Sequence, residues 1–191
     1  IIQKFKGLKI IVAGDVMLDV YLRGSVNRIS PEAPVPVVSV EEKEERLGGA
    51  ANVALNIKSL GAIPIICSVT GADDASKSIR RILKSNKIDS GGMLQAPDRI
   101  TTVKTRVLSR SHQMLRYDSE LTTELNNEEE QWLLKKITDV ITREKPAALI
   151  FEDYNKGVLT SKLISAVIAV CRKNKVFTAV DPKKKNFFSY K

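Results

Sequence analysis

The chain has 191 residues, of which 43% are hydrophobic and 28% charged, the balance of a folded globular domain. Lysine and arginine number 31 against 22 acids, a net charge of +9 that favours anionic partners without choosing among them. A disordered tail, a fibre and a disulfide scaffold are excluded, the last because only Cys67 and Cys171 are present, each inside an apolar run.

No apolar stretch approaches the ~18 residues of a transmembrane helix, and no signal-peptide pattern opens the chain. A cytoplasmic location and no membrane partner are therefore expected. Residues 8–13 (Leu-Lys-Ile-Ile-Val-Ala), closed by Gly14, have the β-branched character of a buried parallel strand. Residues 28–40 carry Pro31, Pro34 and Pro36, which exclude a helix and suit an edge strand or extended arm. Gly48-Gly49 precedes a helix with Ala50, Ala54, Ile57 and Leu60 on one face. A strand at 63–69 and a helix over 74–85 follow. Residues 101–118 alternate as a hairpin with its turn near 109–112. The clearest helix is predicted with Asn127 as cap and Glu130 completing a capping box; Leu133, Leu134, Ile137, Val140 and Ile141 form its stripe, and it ends before Pro146. A strand at 147–151, a helix from about Thr160 and a last strand at 176–180, read as core, complete the chain.

Strands alternating with helices predict an α/β fold, a mostly parallel sheet covered by helices on both faces. The two segments that break the rhythm predict a small β-sheet projecting from it. Residues 1–191 read as a single domain without repeats or linker. The chain opens at Ile1 without an initiator methionine, so a piece of something longer is expected.

Several residues are placed where chemistry is possible. Gly48-Gly49 before a helix is either a turn with a cap or a place where a ligand approaches the backbone and free N–H groups. Asp19, expected just beyond the first strand, is either a cap or turn residue or an acceptor for two sugar hydroxyls. Lys104 and Arg106 stand two apart on a strand and share a face. The stretch from Arg99 to Tyr117 holds five lysines and arginines and no acid. Such a pair suits a phosphate monoester, the guanidinium as a fork and the ammonium as a point charge. A solvated hairpin face is the alternative, and it accounts for Arg99 and Arg110. His112 reads as a turn residue, Cys67, Cys171 and Trp132 as packing, and Asp73-Asp74 as a helix start.

Gly48, Gly49, Ala50, Asn52, Ala54, Gly61 and Gly71 fall at the spacing of a signature of the ribokinase-like (PfkB) carbohydrate kinases, which this sequence resembles. Residues 14–21 (Gly-Asp-Val-Met-Leu-Asp-Val-Tyr), 28–37 (Arg-Ile-Ser-Pro-Glu-Ala-Pro-Val-Pro-Val), 102–107 (Thr-Val-Lys-Thr-Arg-Val), 153–157 (Asp-Tyr-Asn-Lys-Gly) and 181–183 (Asp-Pro-Lys) extend the resemblance over nearly the whole chain. They are similar to the branch of that family that acts on D-glycero-β-D-manno-heptose 7-phosphate in ADP-heptose and lipopolysaccharide core synthesis.

The resemblance implies a ribokinase-like sheet with a β-lid from about 20–47 and 99–118. It implies ATP with Mg²⁺ as cofactors, transfer of the γ-phosphate to the anomeric hydroxyl, and a homodimer through the lid. By the same resemblance Asp19, Gly48, Gly49 and Asn52 hold the sugar; Lys104 and Arg106, with Arg116 as a weaker candidate, take its phosphate; Asp153 and Lys156 face the sugar phosphate or the transferring group; and Lys183 meets the phosphates of ATP. Glu152 stands where the family commonly has a small residue, and Lys184 where it usually has glycine. The family's Gly-Ala-Gly-Asp segment, source of the anion hole and the base, is not matched by Ala13-Gly14-Asp15 or Gly71-Ala72-Asp73-Asp74, which lie elsewhere in the pattern. No catalytic residue and no metal ligand are therefore expected within these residues; the base is expected after Lys191, and the chain is expected to be the sugar-binding and lid half, inactive alone. Another PfkB sugar kinase and a non-catalytic sugar-phosphate module are the alternatives. Nucleic acid is not an expected partner, because aromatics are 5% and not interleaved with the basic cluster.

Overall fold

Residues 2–191 are described by a computed structural model. In chain order the elements are β1 (Lys9–Gly14), β2 (Val16–Ile29), β3 (Pro36–Gly49), α1 (Ala50–Ser59), β4 (Ile63–Gly71), α2 (Asp74–Ser85), β5 (Met93–Ala96), β6 (Thr102–Ser109), β7 (His112–Ser119), α3 (Asn127–Glu144), β8 (Ala148–Glu152), α4 (Ser161–Lys173) and β9 (Phe177–Asp181). Short 3₁₀ turns cover Ile2–Phe5 and Lys184–Ser189.

Five strands form a parallel sheet in the order β5-β4-β1-β8-β9. Alternate residues of β1 point to opposite faces, so the unbroken run Ile10-Ile11-Val12-Ala13 feeds two cores. Ile11 and Ala13 join Leu149 and Phe151 beneath α3 and α4, whereas Ile10 and Val12 lie with Ile57 of α1 and Ile79 and Leu83 of α2. The expected α/β architecture with helices on both faces is what forms. The last strand differs from expectation. Among the described residues β9 pairs only with β8, at the edge of the sheet, and leaves Phe177 72% exposed.

The second sheet has the order β3-β2-β6-β7 and is mixed: β2 runs antiparallel to β3 and parallel to β6. Its strands are longer than the proline-bearing arm implied, since β2 and β3 have 14 residues each. Pro36 opens β3, which is an edge strand, the position where a missing N–H costs least. The hairpin of β6 and β7 turns at residues 110–111, as expected.

One local prediction was shifted by a residue. The cap of α3 is Asn126, not Asn127, and its capping-box partner is Glu129, not Glu130. The buried stripe decides this: Glu130 falls on the same side as Leu133 and Ile137, where it accepts from the Thr160 hydroxyl and pairs with Lys162 at 2.8 Å. Among the described residues no helix is long and apolar enough to cross a membrane.

Strand order reverses between β1 and β8, so the carboxyl ends of these neighbours form the crevice where open α/β sheets take ligands. The chain leaves the large sheet there through one residue, Asp15, before β2 begins. Asp15 is 1% exposed; its carboxylate accepts from the backbone N–H groups of Tyr154 (2.7 Å), Lys156 (3.1 Å) and Val158 (3.2 Å). Its carbonyl accepts from Ala50 N–H at 2.9 Å, the first residue of α1. Burial pushes the Asp15 carboxyl pKa up, against the three N–H groups that favour the anion. Arg99 holds the same loop from the other side, donating to the carbonyls of Lys156 (3.0 Å) and Thr123 (3.1 Å). This corrects the reading of Arg99 as a solvated hairpin cation: it is 8% exposed, its guanidinium held between two backbone carbonyls.

Asp15→Ala leaves three backbone donors without their acceptor. We expect a loss of about 2–4 kcal/mol in urea unfolding, with the 154–158 loop becoming the first site of proteolytic nicking. A loss below about 0.5 kcal/mol, or nicking confined elsewhere, contradicts this account of the loop.

Candidate functional site

The residues singled out in the sequence gather at one end of the molecule, but several occupy different positions from those expected. Asp19 does not follow the first strand. It lies within β2, opposite Arg46 of β3 and Lys104 of β6. The break after Gly14 is a change of sheet rather than a turn into a helix, so neither a cap nor a turn describes it. Period-two alternation puts Tyr21 on the same face as Asp19. Arg106, registered opposite Tyr21, reaches the Asp19 carboxylate with its Nη1 at 2.5 Å. That pairing and the nearby Tyr21 raise the Arg106 pKa further. The guanidinium of Arg106 lies 5.2 Å and that of Arg46 4.8 Å from the Tyr21 ring centroid, a stacked cationic face.

Gly48 and Gly49 border this carboxylate. A Cβ on Gly48 would lie 2.5 Å from Asp19 Oδ2, so a side chain there would take the space beside the acid. Gly49 has φ 55°, and a Cβ on it would meet the Asp15 carbonyl at 2.3 Å. The strand can turn into α1 only with glycine at that point. Gly49 caps α1 without a side-chain acceptor; the Ala50 N–H goes to the Asp15 carbonyl, and the N–H groups that follow it in the first turn have no capping side chain. Asn52, in that turn, is exposed on the same rim.

The phosphate candidates form a second, adjoining group. Hairpin register sets Asp118 of β7 opposite Lys104, and the two pair at 2.7 Å. The acid-free stretch ending at Tyr117 is thus met by the first acid beyond it. Asp118 also accepts from Arg116 Nε at 3.1 Å, and both bases hold its carboxyl below the usual range, Lys104 most strongly. Glu120, two residues later, lies 2.8 Å from Lys156 Nζ and 3.6 Å from Lys104 Nζ. The structure therefore brings Asp19, Gly48, Gly49, Lys104, Arg106, Arg116 and Lys156 into one connected cluster. Sequence reasoning missed Asp118, Glu120 and Arg46, although the hairpin register alone would have found Asp118.

Asp153 is outside that cluster. It is 1% exposed and accepts from Asn155 N–H (2.9 Å), Asn186 Nδ2 (2.9 Å) and the Tyr190 hydroxyl (2.8 Å). Its oxygens are turned inward to anchor the segment after β9, contrary to the expectation that it faces a phosphate. The donor bond to Asp153 and burial together push the Tyr190 phenol pKa up, burial first. Its neighbour Glu152, at the end of β8, is 5% exposed, and burial, with Asp181 beside it in register, pushes its carboxyl up to about 7. Lys183 lies 3.8 Å from Asp181, its ammonium 4.7 Å from the Tyr154 ring centroid, on the rim of the same edge. His112 is an exposed residue opening β7 at the far tip of the hairpin. Cys67 and Cys171 are buried free thiols, as read.

Residues 8–190 match the profile of the pfkB family carbohydrate kinases. The chain is 41% identical over 182 residues to the bifunctional protein HldE of Helicobacter pylori (strain P12), covering 95% of this chain and 39% of that protein. It is 42% identical over 188 residues to HldE of Histophilus somni (strain 129Pt), covering 98% of this chain and 38% of that protein. The chain thus spans about two fifths of the length of these curated relatives. Among solved structures, a putative phosphofructokinase from Staphylococcus aureus superposes with a TM-score of 0.75 at 15% identity, over 96% of this chain and 56% of that one. The tetrameric inhibited form of phosphofructokinase-2 from Escherichia coli gives 0.71 at 15% identity, over 96% and 57%. At such identities these two speak for the fold alone.

The carboxyl of Glu152 sets a pH dependence. Its folded pKa, about 7, lies above the ordinary value of 4.5, so the native state loses stability as pH rises from about 4.5 to about 7. Glu152→Gln removes that loss. We expect the variant to be more stable than the wild type by up to about 3 kcal/mol at pH 8 and equal to it near pH 4.5, read by chemical denaturation at both pH values. A stability difference that does not change between the two pH values would contradict the shifted carboxyl.

Proposed function

The chain belongs to the pfkB family of carbohydrate kinases, and from that premise we propose that the cluster at its sheet edge is the sugar-phosphate site of an ATP-dependent kinase acting on D-glycero-β-D-manno-heptose 7-phosphate. The observation that carries the reading is the adjacency of two chemistries. A carboxylate beside a glycine pair, Asp19 with Gly48 and Gly49, adjoins four cations, Lys104, Arg106, Arg116 and Lys156, drawn from three parts of the chain. Carboxylate and open helix N–H groups suit ring hydroxyls, and the cations suit a terminal phosphate monoester. Agreement with proteins named HldE along 95–98% of the chain supports the heptose.

In this reading Asp19, oriented by Arg106, accepts from sugar hydroxyls; Gly48 leaves room for them; Asn52 and the first turn of α1 add donors. Lys104 and Lys156, with Arg106 and Arg116 behind them, hold the distal phosphate and so fix which end of the sugar faces the nucleotide. Transfer of the γ-phosphate to the anomeric hydroxyl then rests on positioning and charge neutralisation. The exposed ammonium of Lys183 fits the charge of the nucleotide's phosphates. In this reading Mg²⁺ arrives on the phosphates of ATP and would supply charge neutralisation there. The second sheet is the lid, and its exposed edge β3 is where a partner copy would pair. In this reading these residues supply the sugar side of the reaction.

Calorimetric titration with the heptose 7-phosphate and with the unphosphorylated heptose tests this. The wild-type chain is expected to prefer the phosphate ester. Lys104→Ala should weaken that ester about 10–100-fold, the worth of one charge-assisted contact, and leave the plain heptose within about threefold. Equal affinity for both sugars in the wild type sinks the reading.

A further inference from the structure

Lys104 and Lys156 come from different parts of the fold, the small sheet and the loop after β8, yet both point at one oxygen. Glu120 Oε2 is 2.8 Å from Lys156 Nζ and 3.6 Å from Lys104 Nζ. The lysine side chains are only 16% and 17% exposed, so the ammonium groups are partly desolvated and cannot be left facing each other without an anion. The two bases are held firmly. Lys104 is inside β6, and the Lys156 backbone is bound by both Asp15 and Arg99. Glu120 is different. It is the first residue beyond β7, on an irregular connection to α3, and among the described residues its carboxylate has ion pairs only with these two lysines. Asp118, by contrast, sits within β7 and is tied to Lys104 at 2.7 Å and to Arg116 at 3.1 Å.

We propose that Glu120 is an internal competitor whose carboxylate occupies the phosphate position and is exchanged for the phosphate of the ligand. This rests on the reading of the cluster as a sugar-phosphate site. The lysine pair keeps Glu120 ionised at neutral pH, Lys156 contributing most to holding its carboxyl below the ordinary range. The groups facing it are Lys104, Lys156 and Asp118, so an incoming anion meets two cations and two carboxylates. A phosphate dianion carries twice the charge of the carboxylate and has three oxygens for the two ammonium groups, so it replaces Glu120 with a net gain. A neutral hydroxyl or a second carboxylate gains nothing from the same exchange. Two bare lysines would bind any small anion; two lysines already holding a carboxylate bind the anion that exceeds it. Glu120 thus lowers affinity for every anion that uses the lysine pair, and only an anion that gains more from the two ammonium groups than the carboxylate does, such as a phosphate dianion, still occupies it.

Glu120→Gln tests the exchange, because the amide oxygen still accepts from a lysine while the charge is gone. Wild type, Glu120→Gln and the double variant Glu120→Gln with Lys104→Ala are titrated calorimetrically with inorganic phosphate, with the heptose 7-phosphate and with the unphosphorylated heptose, after thermal melts establish that all three are folded. Glu120→Gln is expected to bind inorganic phosphate and the sugar phosphate about 3–10-fold more tightly than the wild type, to bind the unphosphorylated heptose equally, and to lose the gain in the double variant. Equal or weaker phosphate binding by Glu120→Gln, or no measurable phosphate binding by either protein, overturns the exchange and makes Glu120 a positioning residue for Lys156 at most. A gain with inorganic phosphate in a protein that does not prefer the phosphorylated heptose leaves the exchange standing and overturns the choice of sugar instead.

Discussion

The arrangement depends on one loop being held by its backbone. Residues 154–158 have no regular structure of their own, yet their N–H groups converge on the Asp15 carboxylate and one of their carbonyls on Arg99. Hydrogen bonds to a charged group contribute about 1.5–3 kcal/mol each, enough for a handful to fix a short loop against its conformational entropy. The same Asp15 accepts the first N–H of α1 through its carbonyl, which places Gly48 and Gly49. A single residue at the crossing from the large sheet to the small one therefore sets both the sugar-facing glycines and the phosphate-facing lysine. The distance between these two halves of the site is a property of Asp15 and of the carbonyl that Arg99 grips.

Charge acts differently at the site than the composition suggests. The chain has a net charge of +9, but the cluster of Lys104, Arg106, Arg116 and Lys156 is met by Asp19, Asp118 and Glu120, which leaves it only one positive charge in excess. The global excess steers anions toward the molecule over a Debye length, and the local balance decides which anion stays. Partly buried pairs such as Arg106 with Asp19 keep both side chains in place without ligand, whereas exposed pairs such as Lys77 with Asp74 contribute little to anything. Preorganisation of the cations is paid for by carboxylates, and those carboxylates then compete with the ligand.

How much of this was legible varies with how local the signal is. The α2 boundaries and the β6–β7 turn follow from caps and periodicity over a few residues, and the structure places them where the sequence does. The glycine signature fixed the fold class through resemblance. What was not legible depended on partners far along the chain. Arg99 looks like any cation in a basic stretch until the carbonyls of Thr123 and Lys156 close around it. β5 has four residues without alternation and is laid along the edge that β4 presents. Asp19 was misplaced because a β-branched run ending in Gly-Asp suggests a strand followed by a turn, whereas here Asp15 is a one-residue hinge between two sheets. The doublet Asn126-Asn127 and the triplet Glu128-Glu129-Glu130 admit two cap registers, and only the buried side of α3 selects one.

Glu152 and Asp153 show why adjacent acids at one strand end differ in chemistry. Asp153 has three donors and is spent on structure. Glu152 faces the Asp181 of the neighbouring strand across a desolvated edge, with Lys183 as the compensating charge beside it among the described residues. A carboxyl whose pKa lies near 7 responds to whatever charge is brought next to it: a cation draws it toward the ionised form, and an anion such as a nucleotide phosphate drives proton uptake. If Lys183 turns from Asp181 toward an arriving phosphate, Glu152 loses that favourable neighbour at the same moment. Binding at this edge is then linked to a proton.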